Sequence, residues 1–267
     1  MNVILWLIAC VVSGTTLSPL EEIFGAELVE SVFHSESSVL AELLESGRVE
    51  TAIDYATNIV RNDPSKLSHR DVLKIIMVAK ASVDNLRIEC QQLSKRFPKH
   101  HRGVSVEKTC AMLERDSNER AIQILGMSLI PLLRLLIDDA TNRSDADRAQ
   151  YYLTIGDFLR YAIGAGKRGR AVHEAFSAYE RVVDIDPRSI LALTSLNHQA
   201  LLVREVHGEV AAIHFMEDAI LSANSVFIEY ISSRNFSAGT ALEMKEIMDM
   251  MKHNLALWTE ANEWVIV

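Results

Sequence analysis

Apolar residues recur at three- and four-residue spacing through most of the chain, the period of a helix that buries one face. The pattern predicts amphipathic helices over 38–46, 49–62, 68–97, 105–138, 144–164, 169–185, 188–205, 208–223 and 239–262, parted by short polar or Gly/Pro turns. In the helix from Ser68 the core stripe reads Val72, Ile75 or Ile76, Ala79, Val83, Leu86, Cys90 and Leu93. In 144–164 the core positions include Tyr152, Ile155, Leu159 and Ala162, which sets Asp157, Arg160 and Tyr161 on or near another face. The last helix carries two stripes: Met244, Met248, Met251, Leu255 and part of Trp258 on one side, and Ile247, Met250, Asn254 and Leu257 on a second. Ahead of the series, Ser18 and Glu21 form a capping box with Pro19 at the first helical position. That opens a helix burying Leu20, Ile23, Phe24 and Leu28, which ends at the polar stretch 34–37. No linker is long enough to divide the helical series. The expected fold is all-α: an array of about nine antiparallel helices over 38–267, behind an N-terminal extension over 1–37.

Composition narrows the class. The chain has 267 residues, 49% hydrophobic and 24% charged, with 11 Gly and 5 Pro, so collagen-like, disordered, multi-span and all-β readings fall away. A net charge of -9 repels duplex nucleic acid, and any anionic ligand needs concentrated cations. Cys10, Cys90 and Cys110 make neither a disulfide framework nor a close metal pair, which points to a reducing, cytoplasmic setting. The apolar run Val3–Val12 is too short to span a bilayer and lacks a basic leader. It is expected to stay as part of the extension. The alternative is a secretory signal, and Asn142 and Asn235 then become glycosylation acceptors.

Several motifs fail on context. Gly164, Gly166 and Gly169 fit a dinucleotide fingerprint with Lys167 beside it, but the preceding residues are patterned as a helix where that fingerprint needs a strand. A loop between helices is expected there. The cluster Lys95, Arg96, Lys99, His100, His101 and Arg102 has no further ligands at metal spacing and reads as a solvated loop. Residues 178–193 look like one tetratricopeptide half-repeat, yet no 34-residue recurrence follows, and Pro187 serves equally well to open the next helix. With no nucleophile elbow, metalloprotease or nucleotide motif, the expectation is a non-enzyme without metal or cofactor.

The informative residues are polar groups set among packing faces. Lys80 and Arg87 lie seven residues apart, nearly two turns and about 10.5 Å along one helix face. They can converge on one anion or lie along a solvated edge. Arg160 and Tyr161 offer a planar fork and a phenol to an anion, unless Arg160 pairs with Asp157 at i,i+3. Asn197 and Asn254 interrupt apolar runs, either to bridge helices or to meet a ligand.

The ending NLALWT at Asn254–Thr259 resembles the closing helix of 14-3-3 proteins, which reads NLTLWT. That family's Lys and Arg seven apart align with Lys80 and Arg87 after Leu67 and Ser68, its GDYYRY with Gly156–Tyr161, and its Leu-Asn pair with Leu196 and Asn197. The likeness runs over roughly 38–262. It implies a cup of nine antiparallel helices around a concave groove that binds phosphoserine or phosphothreonine segments of client proteins and so regulates them. Lys80, Arg87, Arg160 and Tyr161 would then hold the phosphate, and Asn197 and Asn254 the ligand backbone. Leu196, Met250, Leu257 and Trp258 would form the apolar wall. The chain looks like a divergent member: Leu153, Gln91 and Arg204 stand where the family has Lys, Arg and Glu. Those replacements imply a narrower or altered ligand set. Members pair through their first helices; here Leu40, Ala41 and Leu44 would supply the apolar part, while ESGRVET at 45–51 shifts the flanking charges. A homodimer with an altered or weakened interface is expected. The alternative to the whole reading is a tetratricopeptide-like scaffold for unmodified peptides.

The fate of the apolar run is open to direct measurement. The intact mass of the protein from its native cell should include Val3–Val12; a mature start between Gly14 and Ser18 would identify a cleaved signal instead.

Overall fold

A computed structural model describes residues 38–96, 106–139, 143–163, 169–233 and 236–263. Among these the chain is all-α: α1 Ser38–Glu45, α2 Val49–Asn62, α3 His69–Arg96, α4 Val106–Asp138, α5 Asp145–Ile163, α6 Arg170–Ile185, α7 Ile190–His207, α8 Glu209–Ile231 and α9 Ala238–Glu263. A 3-10 turn, Pro64–Lys66, links α2 to α3. The capped helix from Ser18, the apolar run Val3–Val12, the basic residues Lys99–Arg102, both candidate glycosylation sites and Lys167 lie outside the described residues. The chain divides into two compact units, with the boundary between Arg143 and Ser144.

In the first unit α4 packs against α2 and α3, and α1 against the same two helices. Leu40, Ile53, Ile75, Leu129, Leu132 and Leu133 are fully buried together. Each side chain of that size contributes about 1.5–3 kcal/mol when removed from water. Ser68 caps the start of α3: its Oγ accepts from the Asp71 amide at 3.1 Å and donates to the Asp71 carboxylate at 2.8 Å. Arg143 closes the unit by donating to the carbonyl of Leu67 at 2.6 Å. The part of α4 from Thr109 to Asp138 is long and apolar enough to cross a membrane; here it buries Leu125, Leu129, Leu132, Leu133 and Leu136 in the core of this unit. Leu40 is a correction to the expected dimer patch. It is fully buried within its own unit, because it repeats on α1 with Leu43 as the inward face, and so it is not on the surface.

In the second unit α5 packs along α6, and α7 touches α5, α6, α8 and α9. Ser189 caps α7 by accepting from the Ala192 amide at 3.1 Å. Pro187 therefore sits in the connection, and the helix opens two residues later than its pattern suggests. The core joins Leu193, Ala200 and Val203 of α7 to Met216, Ala219 and Ala223 of α8 and to Met244, Met248, Met251 and Trp258 of α9. α8 runs on to Ile231 rather than ending at 223. Asn224 and Ser225 have weak helix preference, but Val226, Phe227 and Tyr230 pack on that core and carry the helix through them.

Among the described residues of the first unit, three buried side-chain nitrogens lack a hydrogen-bond partner: Lys74 Nζ, Arg115 Nε and Arg143 Nε. Lys74 is 7% exposed and its Nζ has no hydrogen-bond partner among the described residues. Burial pushes its ammonium below the ordinary value of 10.5, with Asp71 and Glu45 opposing and Arg70 assisting. Between the lowered folded value and 10.5 the unfolded chain holds the proton and the folded chain does not, so stability rises with pH across that window. Lys74→Met should therefore add about 1 kcal/mol at neutral pH and flatten the alkaline rise. Urea denaturation at neutral and alkaline pH checks both; a destabilised variant would show that the ammonium is well solvated.

Candidate functional site

The site is built on α5, whose start is fixed by reciprocal capping: the Asp147 amide donates to Ser144 Oγ and the Ser144 amide to Asp147 Oδ2, both at 3.2 Å. Three turns on, the helix is apolar or buried on nearly every side, with Tyr151, Leu153, Ile155 and Phe158 in the core. Asp157 is fully buried among them. Tyr179 of α6 donates its hydroxyl to Asp157 Oδ1 at 2.9 Å, and His198 Nδ1 of α7 lies 2.6 Å from the same oxygen. Burial above all, with the Asp157 charge and the hydrogen bond to it, pushes the Tyr179 phenol well above its usual value. It is thus a neutral donor. Ser195 Oγ donates to the Tyr179 carbonyl at 2.8 Å and ties α7 to α6.

Arg160 lies three residues further along α5 and is 7% exposed. Its Nη1 donates to Glu205 Oε1 of α7 at 3.3 Å. The guanidinium carbon also stands 5.3 Å from the Tyr161 ring centroid, within cation–π range. Nε is buried and has no hydrogen-bond partner among the described residues. Burial works against the charge, yet Tyr179, Tyr161, Glu205 and Asp157 together outweigh it and hold the guanidinium above its ordinary value. The group is a permanent, desolvated cation with donor capacity to spare.

Two expectations about this helix need correcting. The apolar pattern sets Asp157 and Arg160 on or near a face other than the core stripe; that face is buried as well, because α6 and α7 each pack on α5. Arg160 finds its carboxylate on α7 rather than at Asp157. Nothing in the local pattern marks Glu205 as that partner, or Tyr179 and His198 as the groups around Asp157, since these pairings bridge 22 to 45 positions of sequence.

Within the same unit Asn254 Nδ2 donates to Asn197 Oδ1 at 3.2 Å, so the two Asn do bridge α9 and α7. Asn197 Nδ2 in turn approaches Met250 Sδ at 3.9 Å. Met250 and Leu257 stay 43% and 49% exposed on the second stripe of α9, while Leu196 is half-buried against the core. Trp258 belongs to the core instead of to that open stripe: it is 2% exposed, seven residues after Met251 in the buried row. Arg204 covers it, with the guanidinium carbon 5.3 Å from the ring centroid and bonds of 2.5 and 3.2 Å to Glu209. Lys80 and Arg87 stand on α3 in the first unit. Lys80 is half-buried, and Arg87 lies 3.7 Å from Asp84 one turn back. In the fingerprint region Gly169 precedes α6 with φ +104°, and the residues before the glycines are helix α5, so the strand that a dinucleotide site requires is not there.

Gly156 is what lets Tyr179 reach Asp157. A Cβ built there would lie 2.5–2.8 Å from three ring atoms of Tyr179, which is itself fully buried. Gly156→Ala gains about 1 kcal/mol of helix propensity but overpacks a rigid aromatic contact that costs typically 1–3 kcal/mol. With three ring atoms in the way, a net loss of about 1 kcal/mol is expected, read as a lower Tm. Unchanged or higher Tm would mean that the ring can withdraw.

No protein-family model matches the chain, and neither does any curated protein.

Proposed function

We propose that the chain is a phosphoserine- and phosphothreonine-dependent protein-binding adaptor, a divergent relative of the 14-3-3 family acting on phosphorylated client proteins. The observation that carries the reading is Arg160: a nearly buried guanidinium, charged at every physiological pH, bonded at one point by a half-exposed carboxylate and otherwise under-used. A phosphate monoester brings about -1.5 to -2 charges and three strong acceptor oxygens to such a group. The neighbouring surface of the unit suits an extended peptide. The Asn197–Asn254 pair has amide groups that can turn to a backbone, and Met250 and Leu257 give exposed apolar area on the same helix as Asn254. Lys80 and Arg87 are the further cations that the resemblance assigns to the ligand, and Arg87 is tested on its own.

Truncating one partner of a desolvated charge pair costs on the order of 2–5 kcal/mol, so Arg160→Ala should weaken a phosphopeptide at least about tenfold. Arg87→Ala should weaken it as well. Calorimetry with paired phosphorylated and plain peptides, on variants shown folded by circular dichroism, makes the test. Equal binding of the two peptides to the unaltered protein would replace this reading with a scaffold for unmodified segments.

A further inference from the structure

Glu205 is the one carboxylate in hydrogen-bonding contact with Arg160 among the described residues. The two partners differ in a way that a permanent structural pair does not require. Arg160 is held on α5 at 7% exposure, while the Glu205 side chain is 40% exposed and reaches it through a single 3.3 Å contact. A bidentate Arg–carboxylate pair uses two parallel donors at shorter range; here one donor is used and Nε stays unmatched. Glu205 can thus leave for water at small cost, whereas Arg160 cannot follow it.

We infer that Glu205 is an internal competitor for the phosphate that raises the affinity any anion needs to reach Arg160, so that singly charged carboxylates fail to bind where a phosphate succeeds; this rests on the reading of Arg160 as the anion-binding group. Binding at Arg160 is an exchange of anions. A ligand carboxylate arriving at Arg160 displaces another carboxylate, so one charge of -1 replaces another and little is gained. A phosphate monoester brings close to twice the charge and more acceptor oxygens, enough to engage the donors that Glu205 leaves unmet. Acidic side chains, abundant on protein surfaces, are therefore rejected by a group that the phosphate can displace. Arg204, the neighbouring cation on α7, is already bonded to Glu209 and so does not offer Glu205 a second local partner.

The test uses the full chain and fluorescent peptides of identical degenerate flanks carrying a central phosphoserine, glutamate or serine. Glu205→Gln keeps the shape of the side chain and removes its charge; Glu205→Ala removes both. Each should bind the phosphoserine peptide about three- to tenfold tighter than the unaltered protein, a gain of up to about 1.4 kcal/mol. The glutamate peptide should gain by a similar factor, so that its binding, at the edge of detection in the unaltered protein, becomes measurable. In the Glu205→Gln, Arg160→Ala double variant the gain should disappear. If the unaltered protein prefers the phosphoserine peptide and neither variant at 205 tightens either anionic peptide, the competitor role is wrong and the adaptor reading stands. If no protein in the set distinguishes phosphoserine from serine, both fall.

Discussion

A guanidinium removed from water has to be met by negative charge and dipoles, or the several kcal/mol lost in desolvation go uncompensated. In the second unit that demand falls on Arg160 and shapes the packing of three helices. Asp157, one turn back on the same helix, contributes negative potential, and its Oδ1 is fixed by Tyr179 from α6 and approached by His198 from α7. Ser195 then locks α7 to the backbone of α6. Gly156 permits the arrangement, since a side chain there would occupy the space of the Tyr179 ring. The result is a cation whose position is set by buried groups and whose direct partner, Glu205, is half in solvent.

The division between fixed and movable groups extends to α9. Its inward row of Met244, Met248, Met251 and Trp258 anchors the helix to α7 and α8. Three methionines make an adaptable core that fills irregular gaps, and the single large indole supplies much of the buried area. The outward row keeps Met250 and Leu257 exposed, with Asn254 between them bonded across to Asn197. Among the described residues this second row is covered only in part, with Ile247 packed on the core.

The periodicity of apolar residues locates eight of the nine described helices to within two residues at each end, because that signal is local: a residue's place on a helix face depends only on its neighbours one turn away. The stripes of α3 and α9 are legible for the same reason, as are Arg160, Asn197 and Asn254 as polar groups out of keeping with their surroundings. The end of α8 is not. Asn224 and Ser225 carry weak helix preference, and only the packing of Phe227 and Tyr230 on the core outweighs it.

What no local pattern contains is which distant group a buried charge will meet. Glu205 and Arg160 are 45 residues apart, as Tyr179 and Asp157 are 22 apart, and nothing in the spacing of either pair distinguishes them from other acids, bases and phenols in the chain. The same holds for the faces of α5: its sequence suggests one buried side, and the packing of two further helices buries most of the rest. The helices, their caps and the residues whose chemistry suits an anion can be read from the order of amino acids alone, since they depend on short-range sterics and periodicity. Which of the charged residues are desolvated and paired emerges only when the helices pack, because desolvation is a property of everything around a group rather than of the group itself.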